Sequence, residues 1–220
     1  MLISHSHKFI FIKTKKTAGS TLESLVVDNF FDHSQDVCTG SKIDDTPRVN
    51  IGPKQPNQPD GHRPWQMVKQ LVTEQQWNEY YKFTIERNPW EKVVSEFYWK
   101  KDREPQISQF EDDLLNFQFF VDNTLGKWYA APQDWHLYAS DDQLMVDQVV
   151  QFKGLSDNLV EMFNDKLNLP LTKQLVEGTR KKSGYRKKPY TEMYNDQRLI
   201  DKVASLYTKE IKQFGYEFGE

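Results

Sequence analysis

The chain has 220 residues, with 29 Lys and Arg against 32 Asp and Glu for a net charge of −3, which excludes a general attraction to nucleic acid or an anionic membrane and requires any anion site to be local. That length fits one domain, or one with a large insertion, and 14 Phe, 10 Tyr and 6 Trp supply apolar surface that disordered chains lack. No stretch approaches the roughly 20 apolar residues of a membrane span, and the one cysteine, Cys38, excludes an intramolecular disulfide and a cysteine metal cluster and points to a reducing compartment, the cytoplasm.

The first predicted element is a strand over 8–12, a β-branched and aromatic run, Lys8-Phe9-Ile10-Phe11-Ile12, of the kind that sits in a parallel sheet. It is too short, and too soon followed by lysines, to be a secretory core. A polar turn leads to a helix starting at Ser20 and Thr21, hydroxyls at its front end and apolar residues at helical spacing behind them. Five prolines (Pro47, Pro53, Pro56, Pro59, Pro64) make about 40–64 a long surface loop inserted in the domain, and loops of that length are often functional. Short helices are expected over 64–71 and 73–80, then a strand over 81–85. Pro89 is well placed as the first residue of a helix running to about residue 100. Beyond it the pattern predicts a helix over 108–121, a strand over 144–152 closed by a turn at Gly154, and a helix over 156–167. A last long helix is expected over 191–214, where Met193, Leu199, Val203, Leu206, Tyr207 and Ile211 share a stripe. Strands alternating with helices argue for an α/β domain of three layers, α/β/α, around a mostly parallel sheet, with all 220 residues in one domain.

Two connections carry chemistry. Lys13-Thr14-Lys15-Lys16-Thr17-Ala18-Gly19-Ser20-Thr21 joins a strand to a helix, where small residues let amides approach an anion, the helix start adds N–H groups and a positive dipole end, and lysine neutralises charge. It is not a Walker A loop, because Lys16 precedes Gly19 and no opening glycine exists; an ordinary turn with solvated lysines is the bland alternative. The second, Glu86-Arg87-Asn88-Pro89-Trp90, sets Arg87 at the carboxyl end of a strand and Ser95 two turns into the next helix. Ligands of open α/β sheets bind beyond the carboxyl ends of strands, so both connections are expected at one crevice. Arg87 can grip a phosphate bidentately, or simply pair with Glu86 or Glu91.

Taken together the two segments resemble the PAPS-binding loops of the sulfotransferases, particularly the carbohydrate branch related to heparan-sulfate and Golgi enzymes; PAPS is 3′-phosphoadenosine 5′-phosphosulfate. The similarity continues through Gly61-His62, Val146-Asp147, Tyr185-Arg186, Tyr190-Thr191 and Phe214-Gly215-Tyr216, in order along nearly the whole chain. It implies a P-loop-like fold and sulfuryl transfer from PAPS to a hydroxyl of an acceptor, a glycan or glycoconjugate. By position, Lys16, Thr17, Ala18, Gly19, Ser20 and Thr21 would hold the 5′-phosphosulfate, Arg87 and Ser95 the 3′-phosphate, and Arg186 would close over the nucleotide. The chain departs from the family at Gln151-Phe152-Lys153, where relatives carry Arg-Phe-Glu, and at Lys15, where proline is usual.

Sulfuryl transfer resembles in-line phosphoryl transfer, with charge building on the bridging oxygen. Lys16 suits that oxygen, and no metal is expected because the sulfuryl group carries less charge than a phosphoryl group. The acceptor hydroxyl needs a base near working pH, for which His62 is the candidate and His33 and Glu23 the alternatives. Six charges over 180–188 read as a solvated loop, as a nucleotide clamp, or as an attractant for an anionic acceptor. Trp65, Trp90, Trp99, Trp128 and Trp135 are core residues or sugar-stacking platforms. Two rivals stay open: a nucleotide-dependent kinase with a degenerate loop, needing magnesium and ATP, and a polyanion- or RNA-binding α/β module working through the 180–188 run.

Overall fold

The computed structural model describes residues 1–39, 61–125, 127, 133–179 and 188–220. The Pro-rich insertion expected at about 40–64 lies outside them except for its last four residues, as do Trp128, Arg186 and all of the basic run but Lys188. In chain order the elements begin with β1 (Leu2–Ser4), β2 (Phe9–Phe11), α1 (Gly19–Asn29) and β3 (Val37–Cys38). Then come α2 (Trp65–Lys69), α3 (Glu74–Glu79), β4 (Tyr81–Glu86), α4 (Pro89–Lys101) and α5 (Asp113–Asn123). The short α6 (Trp135–Tyr138) precedes a hairpin of β5 (Ala139–Ser140) and β6 (Gln143–Leu144), followed by β7 (Gln148–Gln151), α7 (Leu155–Leu167) and α8 (Lys173–Gly178). The chain closes with α9 (Gln197–Leu206) and α10 (Thr208–Phe214). Two compact units result, one of Met1–Glu86 with His136–Lys181, the other of Arg87–Trp135 with Lys182–Glu220.

The first unit is α/β, built on a five-stranded sheet of order β3-β1-β2-β4-β7. Its centre is parallel, β4 pairing with both β2 and β7, because the long connections between these strands carry helices. One edge is antiparallel, β1 pairing with β2 and β3, so the sheet is mixed and largely parallel in the part that carries the loops. The Asp36 carboxylate secures that edge by accepting from Ser6 N at 2.9 Å, Ser4 Oγ at 3.1 Å and Asp32 N at 3.0 Å. Strand alternation sends Phe9, Phe11, Phe83 and Ile85 to one face, where Leu22, Leu25 and Val26 of α1, Leu159, Met162 and Phe163 of α7 and Val176 of α8 bury them. Each such Phe contributes about 1.5–3 kcal/mol by leaving water. The alternate residues Ile10, Ile12, Thr84 and Glu86 are fully buried on the other face.

The second unit is helical, with Val93, Val94 and Phe97 of α4 packed among Phe117 and Phe120 of α5, Leu199 and Val203 of α9, and Tyr207. Two expected helices are shorter here. The helix expected over 108–121 begins at Asp113, because the Asp112 side chain accepts from Leu114 N and caps it. The stripe expected to make one helix over 191–214 is interrupted twice: a 3₁₀ turn covers Tyr190–Met193, Asp196 caps α9 by accepting from Arg198 N, and Tyr207 separates α9 from α10. The apolar spacing persists across both breaks because the pieces face one core.

Candidate active site

Two residues past β2 the backbone enters the first connection. Thr84 Oγ1 donates to Ile12 O at 2.7 Å, Ile12 N donates to Phe83 O at 2.9 Å, and Thr14 Oγ1 donates to Ile85 O, so the loop starts riveted to the end of β4. Within it, Lys16 has φ 61° and Ala18 φ 62°, while Thr17 between them is not left-handed. Two non-glycine residues in that region store strain of the kind kept at functional sites. Ala18 is also the N-cap residue of α1, its carbonyl accepting from Thr21 N at 2.9 Å. The Thr17 side chain is turned inward, fully buried, its hydroxyl 2.8 Å from Thr14 Oγ1. The part of Thr17 that suits an anion is therefore its amide.

Beneath the loop runs Lys13. Its ammonium lies 2.5 Å from Glu23 Oε2 and donates to Ser20 Oγ at 3.2 Å, with both charged side chains essentially out of solvent. Its stem leaves no room above it: a Cβ on Gly19 would stand 2.7 Å from Lys13 Cγ, which is why the position that opens α1 is glycine. Glu23 also faces the Met1 α-nitrogen at 2.6 Å. Burial alone would raise the Glu23 pKa, but the Met1 ammonium and Lys13 outweigh it and hold the carboxyl below its ordinary value. A buried, doubly paired carboxylate of lowered pKa is a poor proton acceptor, which sets Glu23 aside as a base.

His62 comes against the same loop. Gly61 brings it there, since a Cβ on Gly61 would lie 2.7 Å from Thr39 O, and His62 Nδ1 lies 3.1 Å from the carbonyl oxygen of Lys13. A carbonyl only accepts, so Nδ1 carries the hydrogen, and in the neutral ring Nε2 holds the lone pair. His62 is half-buried. His33, by contrast, is exposed beyond the far end of α1, about 16 Å of helix from the loop, where its ring meets Phe31.

In the second unit Arg87 is 9 % exposed and its Nη2 lies 2.9 Å from Glu91 Oε1. Asn88 caps α4 by accepting from Trp90 N at 3.1 Å, and Pro89 is its first residue. Glu91, Ser95 and Trp99 follow one another at four-residue spacing as half-buried positions on a mostly buried helix. The stripe thus holds the guanidinium, a carboxylate paired to it, and the hydroxyl one turn on. Trp90 is core, its Nε1 donating to Ile200 O at 3.0 Å. Trp99 lies under the Arg103 guanidinium at 4.8 Å, Trp65 meets Trp77, and Trp135 meets Phe214.

Sequence reasoning left Lys13, one of three lysines in four positions, without a role, and named Glu91 only as one of two alternative partners for Arg87, the one the structure shows. Spacing offers a signal only for Glu91, four residues after Arg87. Among the described residues no group of three or more His, Cys, Asp or Glu is placed to hold a metal ion, and no helix is long and apolar enough to cross a membrane. No match is found among curated proteins or solved structures. A model of the sulfotransferase family matches residues 1–217, nearly the full length and both connections described above, and the chain belongs to that family.

Proposed function

We propose that this sulfotransferase uses PAPS as donor and a carbohydrate hydroxyl as acceptor. The observation that carries the reading is the contact of His62 with the Lys13 carbonyl, because it sets an oriented base beside a strained loop that leads into a helix. The residues present fit the donor: the strained loop 16–18 and the start of α1 suit the 5′-phosphosulfate, and Arg87 and Ser95 suit the 3′-phosphate.

Bound PAPS supplies a sulfuryl group on a bridging oxygen, so that one S–O bond breaks as the acceptor oxygen forms another. Lys16 neutralises the charge left on the bridging oxygen. Amides of Thr17, Ala18 and Gly19 and hydroxyls of Ser20 and Thr21 hold the non-bridging oxygens. His62 Nε2 takes the acceptor's proton, and the imidazolium that forms keeps its Nδ1 hydrogen on Lys13 O. Resemblance to the carbohydrate branch, carried by Gly61-His62 and the two loops, supports the sugar acceptor. The buried Cys38 suits a reducing compartment, in which we place the protein.

The test is incubation of the purified protein with sulfur-labelled PAPS and a panel of saccharides, phenols and aliphatic alcohols, without divalent metal. Label is expected on a saccharide; label confined to phenols or alcohols would reject the acceptor class, and transfer to none would reject the activity.

A further inference from the structure

Lys13 differs from the loop's other lysines in being 2 % exposed, while Lys15 and Lys16 are half-buried. Its stem passes Gly19 and Gly61, whose added Cβ atoms would lie 2.7 Å from its Cγ and 3.7 Å from its Cδ. Its ammonium ends between Ser20 Oγ and Glu23 Oε2, at 3.2 and 2.5 Å. Ser20 and Glu23 are three apart at the start of α1 and share a face.

We propose that Lys13 is a positioning residue for the donor, polarising the Ser20 hydroxyl toward the 5′-phosphosulfate; this rests on the PAPS reading. An ammonium only donates, so Ser20 Oγ is the acceptor in that contact and its own hydrogen is directed away from Lys13. A hydroxyl that accepts from a cation is a stronger donor to an anion. The ammonium is held by Glu23 at 2.5 Å, so Lys13 serves the anion through orientation, and the direct attraction is left to Lys16. The same residue's carbonyl holds His62. One buried residue therefore orients both a donor-binding hydroxyl and the base.

The test is calorimetric binding of two probes, 3′-phosphoadenosine 5′-phosphate, which reaches the loop, and adenosine 3′-phosphate, which lacks the 5′-group. Ser20→Ala is expected to weaken the bisphosphate about tenfold, one hydrogen bond to a charged group, and to leave adenosine 3′-phosphate within about twofold. The neutralised pair, Lys13→Met with Glu23→Gln, strands no lysine charge, leaves the Met1 ammonium the carbonyls of Thr39 and Gly61 as acceptors, and is expected to show the same loss. The three changes combined are expected to cost no more than either set, because both act through one hydroxyl. Losses that multiply to about a hundredfold, or that fall equally on both probes, would overturn the relay in favour of a general packing role. Lys13→Arg retains a donating cation and is expected to keep the bisphosphate within about threefold; a loss in this variant, folded by circular dichroism, as large as that of Ser20→Ala would also overturn it. If the unsubstituted protein binds adenosine 3′-phosphate but gains nothing from the 5′-phosphate, the relay fails. If it binds neither, the PAPS reading itself fails and the relay with it.

Discussion

His62 Nδ1 donates to the backbone carbonyl of Lys13 across 3.1 Å, and this contact assigns the two ring nitrogens different tasks. His62→Asn keeps a side-chain N–H for the carbonyl and removes the base. Turnover is expected to fall by about 10²- to 10⁴-fold, with binding of 3′-phosphoadenosine 5′-phosphate within about twofold of the original protein. Single-turnover transfer from labelled PAPS, read beside calorimetry, checks both. Equal losses in rate and binding would make His62 a structural residue of the loop.

Gly19→Ala pushes a methyl group to 2.7 Å from Lys13 Cγ, near the root of a side chain pinned at its far end by Glu23. The expected cost is about 1–3 kcal/mol of stability together with weaker bisphosphate binding. Gly178, in α8, has nothing within 4 Å of its would-be Cβ, and Gly178→Ala is expected to raise stability by about 0.5–1 kcal/mol. Thermal unfolding of the two variants side by side measures the contrast.

The Glu23 carboxyl is ionised in the fold at pH values where the unfolded chain is already taking up protons, its folded pKa lying below the ordinary 4.5. Its contribution is therefore fully present above that ordinary value and is lost as pH falls through the folded one. Unfolding followed from pH 7 to pH 3 is expected to show an acid-labile component that Glu23→Gln removes. At pH 7 that variant, leaving Lys13 without its carboxylate, is expected to lose about 3–5 kcal/mol. A pH profile unchanged by the substitution would contradict the pairing.

Glu91 holds the guanidinium assigned to the 3′-phosphate, Nη2 to Oε1 at 2.9 Å. A phosphate arriving at Arg87 and Ser95 meets that carboxylate as a neighbour of like charge. Glu91→Gln keeps an oxygen for Arg87 and drops the charge, so 3′-phosphoadenosine 5′-phosphate is expected to bind about 1.5- to 5-fold more tightly, a gain of the size measured for single partly exposed charge pairs. Weaker binding in this variant would show that Glu91 serves to aim Arg87.

Much of this was legible in the residues. The aromatic run at Phe9–Phe11 and the block from Tyr81 through Pro89 declare strand, turn and helix with local signals, and both connections stand where those signals place them. The antiparallel edge was not legible, because β1 has three residues and β3 two, too few to show alternation. The break before α9 was signalled only by Asn195-Asp196, overridden by an apolar spacing that continues from Met193 to Ile211. The roles of Lys13 and Glu23 were hidden for another reason. A buried ion pair ten residues apart has no periodicity, and three lysines in four positions look alike until the fold buries one of them.

The most direct measurement is calorimetric titration of 3′-phosphoadenosine 5′-phosphate into the protein without divalent metal, beside ATP with magnesium. Saturable binding of the bisphosphate is predicted, weakened at least about tenfold by Lys16→Ala and by Arg87→Ala, each of which removes a charged contact. Binding of ATP with magnesium, and none of the bisphosphate, would contradict the account.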